Sequence, residues 1–245
     1  MASEAGTTID RREAEHFGAL ATDWWDPHGS SAMLHKLNPV RLRFIRNAIN
    51  RHWQSDARDM RPLSGKSALD AGCGAGLLCE PLSRLGAAVT GIDAAPENID
   101  AARSHAGLGG LPIDYRCCGV EDLPMEARFD LITAMEVIEH VTDPALFLQR
   151  LAKALAPDGL MILSTPNRTP LSRLAMITLG EGLRIIPRGT HDWNRFLTPD
   201  ELVELLADAG LRIIDQRGIS FDPGKGMVLS DRDALNYILS IRHAG

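Results

Sequence analysis

The run Asp70-Ala71-Gly72-Cys73-Gly74-Ala75-Gly76 places three glycines at alternate positions directly after the short apolar stretch at residues 67–70. Glycine turns the chain tightly and carries no side chain, so a ligand can lie against the main-chain N–H groups of such a loop. The next apolar stretch, residues 88–93, ends on Asp93. A carboxylate at the end of a second parallel strand is suited to accept hydrogen bonds from the ribose hydroxyls of a nucleoside. Asp70, Gly72, Gly74 and Asp93 are therefore the candidate walls of a nucleoside pocket. A second constellation, Glu136, Glu139 and His140, follows the apolar run at residues 129–134. Its i, i+3, i+4 spacing puts all three on one face if the segment turns helical. Two carboxylates and an imidazole at a strand end serve as general base, or hold a divalent cation such as Mg2+. Solvated acids at a helix start are the plainer alternative.

Spacing selects the nucleoside. In the dinucleotide fingerprint G-x-G-x-x-G the third position falls here on Leu77, and the glycine comes one residue early, at Gly76. A pyrophosphate is poorly provided for, and Asp70 would repel it while attracting a sulfonium or ammonium group. The ligand this describes is S-adenosylmethionine. Met135 is placed to flank its adenine or methionine portion, and Glu121, after the third strand, to face the adenine edge. An N/D-P-P-Y/F sequence, shared by methyltransferases acting on amino groups of nucleobases or glutamine, is replaced by Ala134-Met135-Glu136-Val137. That favours an oxygen or carbon acceptor. A phenol with a pKa near 10 needs a base or a cation to react at neutral pH, and the Glu136, Glu139, His140 face offers both.

The elements that must position these residues alternate along the chain. Strand patterns at 67–70, 88–93, 113–117, 129–134 and 160–164 are separated by helical ones, which predicts βαβ units and a parallel sheet covered on both faces. Thr198-Pro199-Asp200-Glu201 opens a helix that stops at Gly210, and closing strands follow at 211–220 and 237–241, the last antiparallel. The expectation is an α/β fold with a mostly parallel seven-stranded sheet. Residues 1–60 form an N-terminal helical cap, broken at Asp26-Pro27 and Asn38-Pro39, and residues 61–245 form the main domain. An insertion at about 166–196 is longer than such connections usually are. Its aliphatic residues from Leu171 to Ile186 are interleaved with Arg173, Arg184 and Arg188, which reads either as a lid over the pocket or as a membrane-facing segment.

Composition bounds the alternatives. At 245 residues with 44% hydrophobic and 24% charged residues, the chain is an ordinary globular domain. A net charge of −6 argues against a nucleic-acid partner. Cys73, Cys79, Cys117 and Cys118 have no C-x-x-C or zinc spacing, which predicts reduced thiols. The N-terminal residues lack the pattern of a signal or transit peptide, and no run approaches the ~20 apolar residues of a membrane span. A cytoplasmic location, peripheral on the inner face of the cytoplasmic membrane, is expected.

D-x-G-x-G-x-G with a downstream strand-end Asp resembles motifs I and II of the class I methyltransferases, which have a Rossmann-like fold. The further elements Trp24-Trp25-Asp26, Leu37-Asn38-Pro39-Val40-Arg41, Met135-Glu136-Val137-Ile138-Glu139-His140-Val141, Ser164-Thr165-Pro166-Asn167-Arg168 and Gly189-Thr190-His191-Asp192 resemble the ubiquinone biosynthesis O-methyltransferase family over most of the chain. That resemblance implies methyl transfer from S-adenosylmethionine to hydroxyl oxygens of polyprenylated phenol and catechol precursors at two steps. It implies cofactor contacts at Arg41, Gly72, Asp93 and Met135, and a peripheral association with the membrane. It also implies, in some members, a divalent metal at the E-x-x-E-H site. Arg41 suits the methionine carboxylate, which its guanidinium can grip in a fork. Contact with anionic membrane and with a biosynthetic complex are the expected partnerships beyond the prenylated substrate. Two alternatives stay open: another small-molecule O- or C-methyltransferase, and a nonenzymatic S-adenosylmethionine- or lipid-binding module.

Overall fold

Alternating apolar residues on the strands send consecutive side chains to opposite faces, and two cores result. Ala68, Leu131, Leu160, Ile162 and Ile238 enter one, while their neighbours Leu69, Ile132, Met161, Leu163 and Leu239 enter the other. The computed structural model describes residues 6–29, 31–175 and 192–245. Its strands are β1 (Ser67–Ala71), β2 (Ala88–Asp93), β3 (Asp114–Cys117), β4 (Phe129–Met135), β5 (Leu155–Pro166), β6 (Leu211–Asp222), β7 (Gly226–Ser230) and β8 (Asn236–His243). They form one sheet in the order β3-β2-β1-β4-β5-β8-β6-β7. Strands β1 to β5 pair in parallel, and β8, β6 and β7 are antiparallel. The sheet thus has eight strands rather than the seven expected. The additional one, β7, is a half-exposed edge strand of five residues with no clear alternation, joined to β6 by the turn at 223–225.

The order reverses between β1 and β4, where successive connections leave in opposite directions and open a crevice beyond the strand ends. Helix α2 (Ala32–Trp53) packs Val40, Phe44, Ile45, Ala48 and Ile49 into the first core together with residues of α3 (Cys79–Arg84) and α4 (Pro96–Leu108). Helices α5 (Pro144–Ala154) and α7 (Pro199–Asp208) fill the second, and between them in sequence lies the single turn α6 (Pro170–Ser172). The break expected at Asn38-Pro39 does not occur: α2 runs through Pro39. Proline forfeits one backbone hydrogen bond, and burial of Leu37, Val40 and Phe44 on either side holds the helix together regardless. Ahead of α2, α1 (Arg11–Gly18) starts from an Asp10 cap. At the other end Thr198 and Glu201 form the reciprocal cap that opens α7.

Candidate active site

The crevice at the reversal point is a cavity of about 270 Å3. It is lined from the strand ends by Asp70, Gly72, Asp93, Met135, Glu136 and His140, and from the N-terminal helices by Glu13, Phe17, Trp24 and Arg41. Asp70, Gly72 and Asp93 of the first constellation and Glu136 and His140 of the second therefore open into one space.

Gly72 and Gly74 have φ of +68° and +52°, a region that other residues enter only under strain. A Cβ on Gly72 would lie 2.4 Å from Val137, and one on Gly74 would lie 2.3 Å from the Trp24 ring. The glycines thus admit neighbouring protein: Val137 lies against Gly72, and the Trp24 indole is laid on the loop. Trp25 fixes this segment by donating Nε1–H to the Ala75 carbonyl at 3.0 Å. Its ring also stacks on His105 of α4, with centroids 3.4 Å apart.

Asp93 accepts from Gly74 N–H through Oδ2, and from Ala95 N–H and Asn98 Nδ2 through Oδ1, at 2.9, 2.9 and 3.1 Å. A carboxylate offers about four acceptor positions, so Oδ2 retains one for a ligand hydroxyl. The sequence expectation of two ribose hydroxyls on this one side chain is reduced accordingly, because Asp93 also ties the glycine loop to the start of α4. Asp70, wholly buried, accepts the Thr133 hydroxyl at 2.6 Å and the Cys79 thiol at 3.3 Å. Burial pushes its pKa up to about 6, with those two donors opposing.

Arg41 is 2% exposed, and its Nη2 lies 3.0 Å from Glu136 Oε1. That contact is an ion pair without hydrogen-bond alignment. Nε and Nη2 have no hydrogen-bond acceptor among the described residues. A buried guanidinium with idle donors facing a cavity is built for an anionic group such as a carboxylate.

Glu136, Glu139 and His140 do not share a helical face. Glu136 has φ +55° and the chain then runs through turns. Adjacent residues of β5 point to opposite sides and draw the glutamates apart. Ser164 Oγ donates to Glu136 Oε1 at 2.6 Å, and Thr165 Oγ1 donates to Glu139 Oε2 at 2.9 Å. Asn236 of β8 donates to the other Glu136 oxygen at 2.7 Å. Glu136 thus acts as a brace between Arg41, β5 and β8. Glu139 lies buried behind the cavity wall. Its Oε1 has no hydrogen-bond donor among the described residues and sits 3.9 Å from His140 Nε2. Burial, with the charge of Glu136 adding to it, raises the Glu139 pKa to about 7. For His140, burial opposes protonation, but the hydrogen bond to Glu13 and the charge of Glu139 outweigh it and hold the pKa above the ordinary value. Among the described residues no three His, Cys, Asp or Glu side chains are arranged to hold a metal ion. With Glu136 committed to Arg41, Ser164 and Asn236, the expected three-ligand cation site does not fit this arrangement.

Glu121 is not at the cavity. It accepts from Thr7 Oγ1, Thr8 N–H and Thr8 Oγ1 at 2.6, 2.9 and 2.8 Å, anchoring the N-terminal segment. Burial works to raise its pKa, but these bonds prevail and lower it. The structure thus places Glu121 against the N-terminal segment rather than among the residues lining the cavity. Residues that sequence reasoning missed are Glu13, Asn236 and the ring of Trp24 as a cavity wall. The pair Trp24-Trp25 before the Asp26-Pro27 break was a signal for the last; the others lie far from the motifs. Of the insertion, residues 176–191 lie outside the described residues, and with them most of the expected lid or membrane segment, including Arg184, Arg188 and His191.

Burial of these acids has a consequence for stability. Raising Asp70 from 3.8 to about 6 costs its ionised form on the order of 3 kcal/mol. In the pH range between the two values the folded ligand-free protein keeps protons that the unfolded chain has released, and Glu139, raised from 4.5 to about 7, acts with the same sign. Stability is therefore expected to fall as pH rises from about 4 to about 7. Asp70→Asn should flatten that fall, as read from urea midpoints across the range. A wild-type midpoint that climbs between pH 5 and 7 would contradict it.

Residues 34–216 match the family described as Methyltransferase domain. The ubiquinone biosynthesis O-methyltransferase of Bradyrhizobium diazoefficiens is 48% identical over 97% of this chain and 94% of its own. Its namesake in Azorhizobium caulinodans is 47% identical over 98% and 96%. Among solved structures, the magnesium protoporphyrin IX methyltransferase of Synechocystis PCC 6803 with bound SAH superposes with a TM-score of 0.66 at 18% identity, over 95% of this chain and 99% of that one. The plantazolicin methyltransferase BpumL with SAH gives 0.58 at 19% identity over 95% and 97%. These distant structures share the Rossmann-like methyltransferase fold, and the close relatives decide the rest: the chain belongs to the ubiquinone biosynthesis O-methyltransferase family.

Proposed function

We propose that this protein transfers the methyl group of S-adenosylmethionine to hydroxyl oxygens of polyprenylated phenol and catechol precursors of ubiquinone, at both O-methylation steps. The observation that carries this reading is a single cavity joining the glycine loop and the free donors of Arg41 to the imidazole of His140. The near full-length likeness to enzymes of that name supplies the acceptor class.

The cofactor, when bound, supplies an electrophilic methyl group on a sulfonium. Arg41 would hold its methionine carboxylate, Asp93 would accept from a ribose hydroxyl, and Asp70 would favour its positive end. His140 Nε2 would take the proton of the acceptor hydroxyl and leave an oxygen lone pair for the methyl group that the cofactor would supply. Glu139, 3.9 Å from Nε2, stabilises the imidazolium that results. Glu136 keeps Arg41 in place. The test is incubation with labelled S-adenosylmethionine and short-chain catechol precursors, with and without chelator. Label in the methoxy product is expected in both. Absence of product from every catechol would overturn the reading, and loss on chelation with recovery in Mg2+ would replace the base by a cation.

The substrate's prenyl tail places it in lipid. Among the described residues no helix is long and apolar enough to cross a membrane. A surface contact at residues 171–187 is the route proposed, and its described start exposes Leu171 and Leu174 beside Arg173, which lies over the Trp193 ring. Leu171→Asp with Leu174→Asp should weaken cosedimentation with anionic liposomes even at low salt, while sparing activity on a soluble catechol. Unchanged cosedimentation would place the contact elsewhere.

A further inference from the structure

Arg41 is not alone on the cavity wall in having buried donors without an acceptor. Trp24 Nε1–H, ahead of α2 in the chain, is likewise buried and has no hydrogen-bond acceptor among the described residues. Both side chains line the same cavity. Trp24 is brought there by fixed contacts on two sides. Its Cζ3 and Cη2 each lie 2.3 Å from where a Cβ on Gly74 would stand, so the ring rests on the loop only because that residue is glycine. Its carbonyl accepts His35 Nε2–H of α2 at 2.7 Å, and the next residue, Trp25, is tied to Ala75 and His105. In an indole, Nε1 lies across the ring system from Cζ3. The edge against Gly74 is therefore apolar, and the N–H is turned away from it. Of the adjacent pair, Trp25 gives its Nε1–H to a backbone carbonyl, while that of Trp24 meets no protein acceptor.

A buried N–H left without an acceptor is destabilising, and folds seldom carry one unless a ligand or water completes it. The polar groups around it decide what it takes. Asp70, Asp93 and Glu136 already accept from protein donors, whereas Arg41 and Trp24 together present N–H groups only. A ligand portion made of acceptors alone fits such a set. In S-adenosylmethionine that portion is the carboxylate, since the ribose hydroxyls and the adenine amino group also donate and the sulfonium and ammonium groups are cationic. We propose that Trp24 Nε1–H binds the methionine carboxylate of S-adenosylmethionine together with Arg41, adding a neutral donor beside the guanidinium fork. The inference rests on the reading of this cavity as the cofactor site. It also gives the missing Cβ of Gly74 a purpose, which is to seat the ring that carries the donor.

Titration calorimetry with two ligands tests this: S-adenosylmethionine, and decarboxylated S-adenosylmethionine, which lacks only the carboxylate. Trp24→Phe keeps an aromatic ring at the loop and removes the N–H. It is expected to weaken binding of S-adenosylmethionine about tenfold or more, the loss for a hydrogen bond to a charged group. Affinity for the decarboxylated compound should stay within about twofold, because the altered side chain has no contact with that ligand to lose. Trp53→Phe, which does not line the cavity, should leave both affinities unchanged. In the unsubstituted protein the Trp24 indole N–H resonance should move downfield with S-adenosylhomocysteine and stay in place with methylthioadenosine, which ends before the carboxylate. Equal losses for the two ligands, unchanged affinity in a folded Trp24→Phe protein, or an indole resonance indifferent to the carboxylate would overturn the assignment. A raised KM for the catechol with cofactor affinity intact would overturn it as well, giving the N–H to the methyl acceptor instead. Wild-type protein that binds neither ligand would remove the cofactor reading itself, whereas wild-type binding with any of those outcomes removes Trp24 alone.

Discussion

Replacing His140 by alanine is expected to lower kcat by about 10²- to 10⁴-fold, the range for loss of a positioned general base. Calorimetry should find affinity for S-adenosylmethionine little changed, because the cofactor contacts proposed at Arg41, Asp70 and Asp93 do not involve it. The wild-type rate should rise with pH through a midpoint above the ordinary imidazole value of 6.5, since burial is outweighed by Glu13 and Glu139. The sign follows from the role: a base works once its proton is gone, and a raised pKa moves that point upward. Glu139→Gln should leave the Thr165 hydrogen bond available and lower kcat less than His140→Ala. A full rate in His140→Ala, at any pH, would remove the imidazole from the mechanism.

The second large effect belongs to Asp93. Asp93→Ala should reduce affinity for S-adenosylmethionine by more than about a hundredfold, as expected when a buried hydrogen-bonding group of the site is lost and its partners are left unpaired. It should also cost roughly 1–3 kcal/mol of stability, because the N–H groups of Gly74 and Ala95 lose the acceptor now at 2.9 Å. The two effects separate on titration: calorimetry below the melting temperature reads the first, and denaturant midpoints without cofactor read the second. Unchanged affinity in a folded Asp93→Ala protein would withdraw the ribose assignment.

The chemistry near the strand ends was legible in the sequence because it is local. The glycine run, the acid at the end of β2, the cap of α7 and the apolar strands each depend on neighbours a few residues away, so their types and spacing were enough to place Asp70, Gly72, Asp93 and Met135 around one pocket. Long-range partners decided the rest. Glu136, Glu139 and His140 read as one face on spacing alone, yet Ser164 and Thr165 point to opposite sides of β5 and pull the two carboxylates apart. Glu121 read as a ligand contact until the hydroxyls of Thr7 and Thr8, 114 and 113 residues away, claimed it. Glu13 carried no signal at all, being one acid among several on an N-terminal helix, and only the fold brings it across 127 residues to His140. A buried carboxylate takes whatever donor the packed structure sets within about 3 Å. Sequence therefore determined which chemical groups this protein has at its strand ends, and tertiary structure decided which of them remain available to a substrate.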